Sequence, residues 1–238
     1  MDTVEFTRGI DVSHHQGQID WARVSAAGIR YAFMKATQGA GFIDSRFAAN
    51  WEGAALNSVI RGAYHFFDPE ATASEQFENF TSVVTLDAGD LAPVVDLEVD
   101  GQDWSELPSA QRIPVVIELL ELLEDHYAMV PLIYTNWASV DAIFRGRPGQ
   151  LTHYPLWVAS YRQNPPPRMP AGWTDWTHWQ HSSEGSVSGI AGAVDLNRCI
   201  GDPGPVLPQV DVVVRAARRS PSRSRAPIRR RSRSRKRR

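Results

Sequence analysis

The sequence contains a single cysteine, Cys199, among its 238 residues. One thiol cannot form an intramolecular disulfide or a four-thiolate zinc site, so the fold must be stabilised by its hydrophobic core. No apolar run approaches the roughly 18–20 residues that a membrane-spanning helix requires. Walker A, His-Glu-x-x-His and Gly-x-Gly-x-x-Gly motifs are also missing, which argues against the phosphate-binding and zinc-protease chemistries that use them.

Charge is distributed unevenly along the chain. Residues 215–238 hold 13 of the 25 Lys and Arg residues and no acid, so the first 214 residues combine 12 basic with 27 acidic residues, a formal charge of −15. The stretch Gly-Asp-Pro-Gly-Pro that begins at Gly201 is typical of a linker. We expect a folded acidic domain over 1–201, a linker over 202–214, and a disordered Arg/Ser-rich tail over 215–238 that cannot bury a core.

Short apolar segments alternate with helical patterns along the acidic part. Eight strands are predicted, at 9–13, 31–36, 60–67, 92–98, 131–136, 156–161, 174–181 and 193–198. Helices are predicted between the first five strands, at 20–27, 45–57, 75–84 and 110–127. This alternation indicates an α/β fold with a parallel sheet. Because helices are concentrated in the first half, we expect an irregular β/α barrel, with an open doubly wound sheet as the alternative.

Four acidic residues fall where such a barrel would place its reacting groups, at the carboxyl ends of strands. Asp11 lies late in the first predicted strand, Asp96 and Glu98 end the fourth, and Asp195 lies in the last. The first and last strands of a closed barrel are neighbours. Asp11 and Asp195 should therefore lie next to each other.

Asp96 and Glu98 are two positions apart on one predicted strand. Residues at i and i+2 point to the same face, about 6.6 Å apart, so both should face the mouth, with Asp96 deeper and Leu97 turned toward the helices. Clustered carboxylates raise one another's pKa. One carboxyl can then stay protonated while its neighbour is ionised, which is the arrangement that glycoside hydrolysis uses.

The residues alone leave other roles open. A single acid at a strand end usually caps a loop or forms an ion pair, although 12 basic residues cannot neutralise the domain. Oxygen-rich clusters also bind Mg²⁺ or Ca²⁺, but no phosphate-binding glycine loop accompanies this one, and we expect neither a metal nor a cofactor. Aromatic residues near the predicted strand ends could stack on sugars or pack in the core: Tyr64, Phe66, Tyr134, Trp137, Trp157, Tyr161, Trp176 and Trp179.

An ordered set of motifs links these features. They are Gly-Ile-Asp-Val-Ser-His-His-Gln-Gly (9–17), Phe-Met-Lys-Ala-Thr-Gln-Gly (33–39), Arg-Gly-Ala-Tyr-His-Phe-Phe (61–67), Pro-Val-Val-Asp-Leu-Glu (93–98), Ile-Tyr-Thr-Asn (133–136), Leu-Trp-Val-Ala-Ser-Tyr (156–161), Trp-Gln-His-Ser (179–182) and Val-Asp-Leu-Asn (194–197). Together they resemble glycoside hydrolase family 25, the lysozymes of the Chalaropsis type found in bacteria, fungi and phages. The resemblance covers about residues 8–201 and implies a flattened barrel of five β/α units followed by three strands.

The same resemblance implies N-acetylmuramidase activity, which cleaves the β-1,4 bond between N-acetylmuramic acid and N-acetylglucosamine in peptidoglycan. By position, Glu98 resembles the general acid/base. Asp96 resembles the residue that either attacks the anomeric carbon or orients the substrate's 2-acetamido group, and Asp11 and Asp195 resemble supporting acids. Sugar contacts are expected from Tyr64, Tyr134, Trp157, Phe66 and Gln180, with Lys35 at the rim, where Gln38 replaces a Glu that the family often has.

Peptidoglycan strands are therefore the expected partner, and a monomer is the expected state. Residues 1–8 lack both a basic start and an apolar stretch, unlike a secretory signal. We expect synthesis in the cytoplasm and release to the cell wall by lysis, a holin or non-Sec export, as in a phage endolysin. The tail should bind anionic envelope polymers or lipids, with nucleic acid as an alternative. The rival functions are a wall-binding module that does not cut and a nucleic-acid-binding protein.

Overall fold

A computed structural model describes residues 5–99, 101–162 and 165–204 of the chain. The predicted tail and nearly all of the predicted linker lie outside these residues. The proposed boundaries at 201 and 214, and the predicted disorder of the tail, therefore stay predictions.

Within the described residues, one mixed sheet closes into a barrel. Its strands are β1 (Phe6–Val12), β2 (Tyr31–Gln38), β3 (Phe42–Ile43), β4 (Ile60–Phe66), β5 (Val94–Asp96), β6 (Leu132–Asn136), β7 (Leu156–Ala159), β8 (His178–Gly185) and β9 (Val194–Ile200). The order is β1-β9-β8-β7-β6-β5-β4-β2, and β1 also pairs with β2, which closes a ring of eight strands. The two-residue β3 extends β2 outside this ring. The closed ring confirms the barrel and excludes the open sheet.

Within the ring of eight strands, strand direction is uniform except at β9. The pairs from β1 through β2, β4, β5, β6 and β7 to β8 are parallel, whereas β9 is antiparallel to both of its neighbours. The beginning of β9 therefore lies at the same end of the barrel as the carboxyl ends of the other seven strands. We call this end the mouth.

Five helices follow the first strands of the ring. They are α1 (Trp21–Ala26), α2 (Phe47–Leu56), α3 (Ala73–Thr81), α4 (Ser109–Tyr127) and α5 (Trp137–Phe144). Five β/α units followed by β7, β8 and β9 match the architecture that the resemblance implied. The Asp20 side chain accepts the Arg23 N–H and begins α1 as predicted.

Several predicted boundaries are wrong. The helix predicted over 75–84 begins at Ala73, because Thr72 and Glu75 form its capping box. The helix α5 was not predicted; its N-terminal cap is Asn136, the last residue of a strand. The strand predicted over 92–98 is only Val94–Asp96, and β8 begins later than predicted and runs through 182–185, which pair with β9.

Alternation along the strands divides the core into two layers. Tyr31, Phe33 and Val94 fill the barrel interior with Leu132 and Trp157, and Cys199 also packs there. The intervening residues face the helices, and the larger layer between sheet and helices contains the long apolar stripe of α4. Both faces of the sheet are thus covered, as expected for parallel strands. None of the described helices has the length and apolar character needed to cross a membrane.

Candidate active site

The four predicted acids all lie at the mouth. Asp11 precedes the last residue of β1, Asp96 is the last residue of β5, and Glu98 follows two positions later. Asp195 is the second residue of β9 and is directly opposite Asp11 in the ladder. The predicted neighbourhood of Asp11 and Asp195 is confirmed. The carboxyl-end rule is wrong for Asp195, however, because this residue reaches the mouth only through the reversed direction of β9.

Asp11 is buried and receives several hydrogen bonds. Its Oδ2 accepts Nε2 of Gln180 at 2.9 Å and Nδ2 of Asn197 at 2.6 Å, and its carboxyl also bonds Asp195. Burial raises the pKa of Asp11, while these hydrogen bonds oppose the increase. Burial and the neighbouring Asp11 raise the pKa of Asp195 to about 8. Because amide donors stabilise only the Asp11 anion, we place the proton of this pair on Asp195 near neutral pH.

Asp96 is the deeper of the two acids at the end of β5 and is only 5% exposed. Burial raises its pKa well above the ordinary value, the charge of Glu98 raises it further, and the charge of Lys35 opposes both effects. Its Oδ1 is buried and has no hydrogen-bond partner within the described part of the chain. This oxygen therefore lacks the hydrogen-bond donor that a buried carboxyl oxygen ordinarily has.

Glu98 is partly exposed and lies in the loop just beyond β5. Its Oε1 accepts Nδ2 of Asn136 at 3.2 Å, and its backbone carbonyl accepts Nε1 of Trp104 at 2.8 Å. Leu97 is fully buried and packs with the residues under the helices, as its position between the two acids predicted. Asp96 is thus the deeper and Glu98 the more accessible carboxyl, although Glu98 is placed by a loop rather than by the strand.

Lys35 and Phe66 lie together on the wall formed by β2 and β4. The Lys35 ammonium donates to Oε1 of Gln38 at 2.8 Å and lies 4.5 Å from the centre of the Phe66 ring. Burial lowers the pKa of Lys35, and the charges of Asp96 and Glu98 counteract this decrease. At position 38 this chain has Gln where the family often has Glu. The Lys35 ammonium is therefore held by a neutral amide oxygen and not by a carboxylate.

The predicted aromatic contacts lie at different depths. Tyr64 is partly exposed, and the charges of Asp11, Asp96 and Asp195 act on its phenol. The Tyr134 hydroxyl donates to Oε1 of Gln180 at 2.9 Å. Trp157 is only 2% exposed, so its ring has almost no surface to offer a sugar.

Trp157 instead supports the site from below. Its ring stacks on Phe33 with centroids 4.3 Å apart and packs edge-on against Tyr134 at 4.5 Å. Its indole N–H donates to Oδ1 of Asn197 at 2.8 Å, which orients the amide that binds Asp11. These contacts make Trp157 part of the packing beneath the site, and its predicted sugar contact stays a prediction.

Asn136 and Asn197 were absent from the predicted set, and Tyr161 was named only among the aromatic residues that could stack on sugars or pack in the core. Asn136 contacts Glu98, Asn197 contacts Asp11, and the Tyr161 hydroxyl donates to Oε1 of Gln180 at 3.1 Å. Tyr161 lies at a predicted strand end, which was the signal available for it. The motifs Ile-Tyr-Thr-Asn and Val-Asp-Leu-Asn end on the two asparagines, but an amide at a strand end reveals its partner only when the barrel is closed.

The chemistry of the mouth is that of carboxylic acids surrounded by amides and phenols. No three His, Cys, Asp or Glu side chains of the described ranges are arranged to hold a metal ion. The acids instead combine one deeply buried carboxyl, one accessible carboxyl and a pair that shares a proton. This set can donate a proton to a leaving oxygen and stabilise positive charge beside it.

Comparison with known proteins identifies the family. Glycosyl hydrolases family 25 matches residues 10–190. The uncharacterized protein YegX of Escherichia coli (strain K12) is 38% identical over 196 residues, which cover 79% of this chain and 68% of that protein. Lysozyme M1 of Streptomyces globisporus is 32% identical over 206 residues, covering 84% of this chain and 70% of that protein.

The fold leads to the same family. The crystal structure of the bacterial lysozyme from Streptomyces coelicolor superposes with a TM-score of 0.77 at 33% identity, covering 84% of this chain and 94% of that chain. The sequence match spans most of the barrel, including Asp11 and the loop that carries Glu98. On both grounds, the chain belongs to glycosyl hydrolases family 25.

Proposed function

We infer from family membership and from the acids at the mouth that this chain is a lysozyme that hydrolyses peptidoglycan. The bond we expect it to cleave is the β-1,4 bond between N-acetylmuramic acid and N-acetylglucosamine. The observation that supports this function most strongly is the side-by-side placement of the buried Asp96 and the accessible Glu98 within one barrel mouth. Glycoside hydrolysis uses two carboxyl groups held in different environments.

We assign proton transfer to Glu98. It is the more exposed of the two carboxyls, and the Asn136 amide fixes one of its oxygens. The leaving oxygen of the glycosidic bond would take its proton from this group, which would then act as base toward water.

Asp96 has two candidate roles, direct attack on the anomeric carbon or orientation of the 2-acetamido group. Its unpartnered Oδ1 favours the second, because an acetamido N–H is a donor of the kind this oxygen lacks. A raised pKa also makes the carboxyl less available as an anionic nucleophile. Mass spectrometry after treatment with a slow fluorinated substrate distinguishes the roles, because only direct attack leaves a sugar bonded to Asp96.

The test of the function measures new reducing ends from purified peptidoglycan. We expect wild type to release them and Glu98→Gln to lose about 10²–10⁴-fold in kcat, the contribution of a general acid/base. Glu118→Gln is the matched control, since Glu118 is exposed on α4, and it should stay within twofold of wild type. No reducing ends from wild type would leave a non-cutting wall-binding module as the function. Unchanged activity in Glu98→Gln would refute the assignment of the acid.

For the tail, we propose binding to anionic polymers or lipids of the cell envelope. The proposal is supported by the 13 basic residues of 215–238 and the absence of acids there. A chain ending at Pro205 should bind intact cells less while hydrolysing soluble fragments at the wild-type rate. Retained cell binding, or tighter binding of the full chain to nucleic acid than to envelope polymers, would contradict this role. Cytoplasmic synthesis with release at lysis, and a monomeric state, stay predictions.

A further inference from the structure

Exposed apolar side chains of the described residues are concentrated at the mouth. The large ones are Phe42, Ile43, Leu56, Trp137, Tyr161 and Ile200. Phe42 and Ile43 pair with the mouth end of β2, Trp137 follows β6, and Tyr161 follows β7 by two positions. Four of the six thus surround the acids, whereas exposed apolar side chains are ordinarily scattered singly over a protein surface.

Two of these rings face a cation, and the contact is closer at Trp137 than at Phe42, where the Lys35 ammonium lies 5.5 Å from the ring centre. The guanidinium carbon of Arg168 lies 3.5 Å from the centre of the Trp137 ring, and Trp137 as a whole residue is 39% exposed. The backbone N–H of Arg168 donates to Oγ of Ser160 at 2.9 Å, which fixes the loop after β7 against the mouth. A guanidinium held flat by an aromatic ring is already oriented, so a ligand loses less side-chain freedom when it binds.

This pair is adjacent to the proposed acid. Trp137 directly follows Asn136, whose amide contacts Glu98. Within residues 5–99, 101–162 and 165–204, no carboxylate forms an ion pair with Arg168. Arg168 therefore presents a positive charge at the edge of a mouth whose other charges are mainly negative. Lys35, another cation of this region, is half-buried on the opposite wall and bonded to Gln38.

We propose that Arg168, held on the Trp137 ring, binds a carboxylate of the peptide that substitutes N-acetylmuramic acid. This inference rests on the proposed function. In a substituted strand the lactyl carboxyl of N-acetylmuramic acid forms the amide bond to the peptide, so the negative charge is carried by the carboxylates of the peptide stem. Acids at the mouth repel that stem, whereas Arg168 attracts it, and a planar guanidinium matches a carboxylate with two parallel hydrogen bonds. The enzyme should consequently prefer peptide-substituted over peptide-free strands.

The experiment compares Arg168→Gln with wild type on two substrates, peptidoglycan strands that carry their peptides and the same strands after an amidase has removed them. The amidase leaves one lactyl carboxylate on each N-acetylmuramic acid, so the comparison separates binding of the peptide from binding of the lactyl group. We expect kcat/KM for the substituted strands to fall roughly fivefold, as for one exposed charge-assisted pair, and kcat/KM for peptide-free strands to stay within twofold. Arg147→Gln is the control: it removes one positive charge just beyond the C-terminal end of α5 and should preserve the wild-type preference for substituted strands. At about 0.5 M salt the preference of wild type should shrink, because screening weakens an exposed pair.

Arg168→Lys and Trp137→Leu test whether the peptide carboxylate is bound by an oriented, planar guanidinium or by positive charge alone. Lysine keeps the charge without the planar fork, and leucine keeps an apolar side chain without the ring, so both should lose part of the preference. Equal losses on both substrates for Arg168→Gln, or a preference that survives it, would overturn the proposal. Wild-type hydrolysis of neither substrate would instead refute the proposed function, so the two failures are distinguishable.

Discussion

Gln180 offers the most informative perturbation of the site because one buried amide joins three partners. Its Nε2 donates to Asp11, and its Oε1 accepts the hydroxyls of Tyr134 and Tyr161. The side chain is 3% exposed. Gln180→Met keeps its length and similar volume while removing every hydrogen bond, so the loss reports on polar contacts rather than on a cavity.

The magnitude follows from the three contacts taken separately. The bond to the Asp11 carboxylate is worth about 2 kcal/mol, as for hydrogen bonds to charged groups, and the buried Tyr134 hydroxyl left without an acceptor costs about 1 kcal/mol. Tyr161 is 61% exposed, so water can replace its bond. We expect a decrease of about 3 kcal/mol in the free energy of unfolding at neutral pH. That corresponds to a decrease of about 6–12 °C in Tm for a chain of this size.

The pH dependence of this stability loss tests the contribution of the hydrogen bond between Gln180 and Asp11. Without Gln180 the pKa of Asp11 rises further, because the amide stabilises the ionised form. The loss in Gln180→Met should therefore be fully present at neutral pH and shrink toward about 1 kcal/mol as Asp11 becomes protonated at acidic pH.

Urea unfolding of wild type and Gln180→Met at about pH 7 and about pH 4 measures the loss of stability at each pH. Tyr161→Phe is the control, since it removes only the exposed donor of the same amide and should change stability by less than about 0.5 kcal/mol. A loss of equal size at both pH values would refute the reasoning, because it would show that the contact with the Asp11 anion does not contribute.

Two further predictions concern the core and the shared proton. A Cβ at Gly62 would overlap the Phe33 ring in the barrel interior, so Gly62→Ala should lower the free energy of unfolding by about 1–3 kcal/mol. A Cβ at Gly41 would contact no other atom, so Gly41→Ala is the control and should leave the free energy of urea unfolding nearly unchanged. Because the pKa of Asp195 is raised to about 8, stability should fall as pH rises from about 4 to about 8, and Asp195→Asn should flatten that decline. An equally steep decline in this variant would show that Asp195 does not hold the proton beside Asp11.

How far the sequence predicted the site depends on the range of each interaction. The alternation at 94–97 correctly predicted that Asp96 lies deeper in the mouth than Glu98 and that Leu97 faces the helices, because the two faces of a strand are set by neighbouring residues. The cap of α5 was missed for the opposite reason. Asn136 is the last residue of β6 and the N-cap of α5 at once, and the apolar periodicity of so short a helix is hidden behind the strand.

Trp157 shows where composition is ambiguous. An aromatic residue near a strand end is equally compatible with a sugar contact and with core packing. Only the tertiary structure shows that Trp157 packs beneath Tyr134 and bonds Asn197.

By itself, the sequence determined the alternation of strands and helices, the family and the four acids, since these depend on local patterns and ordered motifs. The tertiary structure alone decided how those acids are tuned. Asp11 meets Gln180 and Asn197 across 169 and 186 positions of the chain, and Asp195 reaches it because β9 runs in reverse. Burial, hydrogen bonding and charge act over a few ångströms in space, and only the closure of the barrel brings such distant residues within that range.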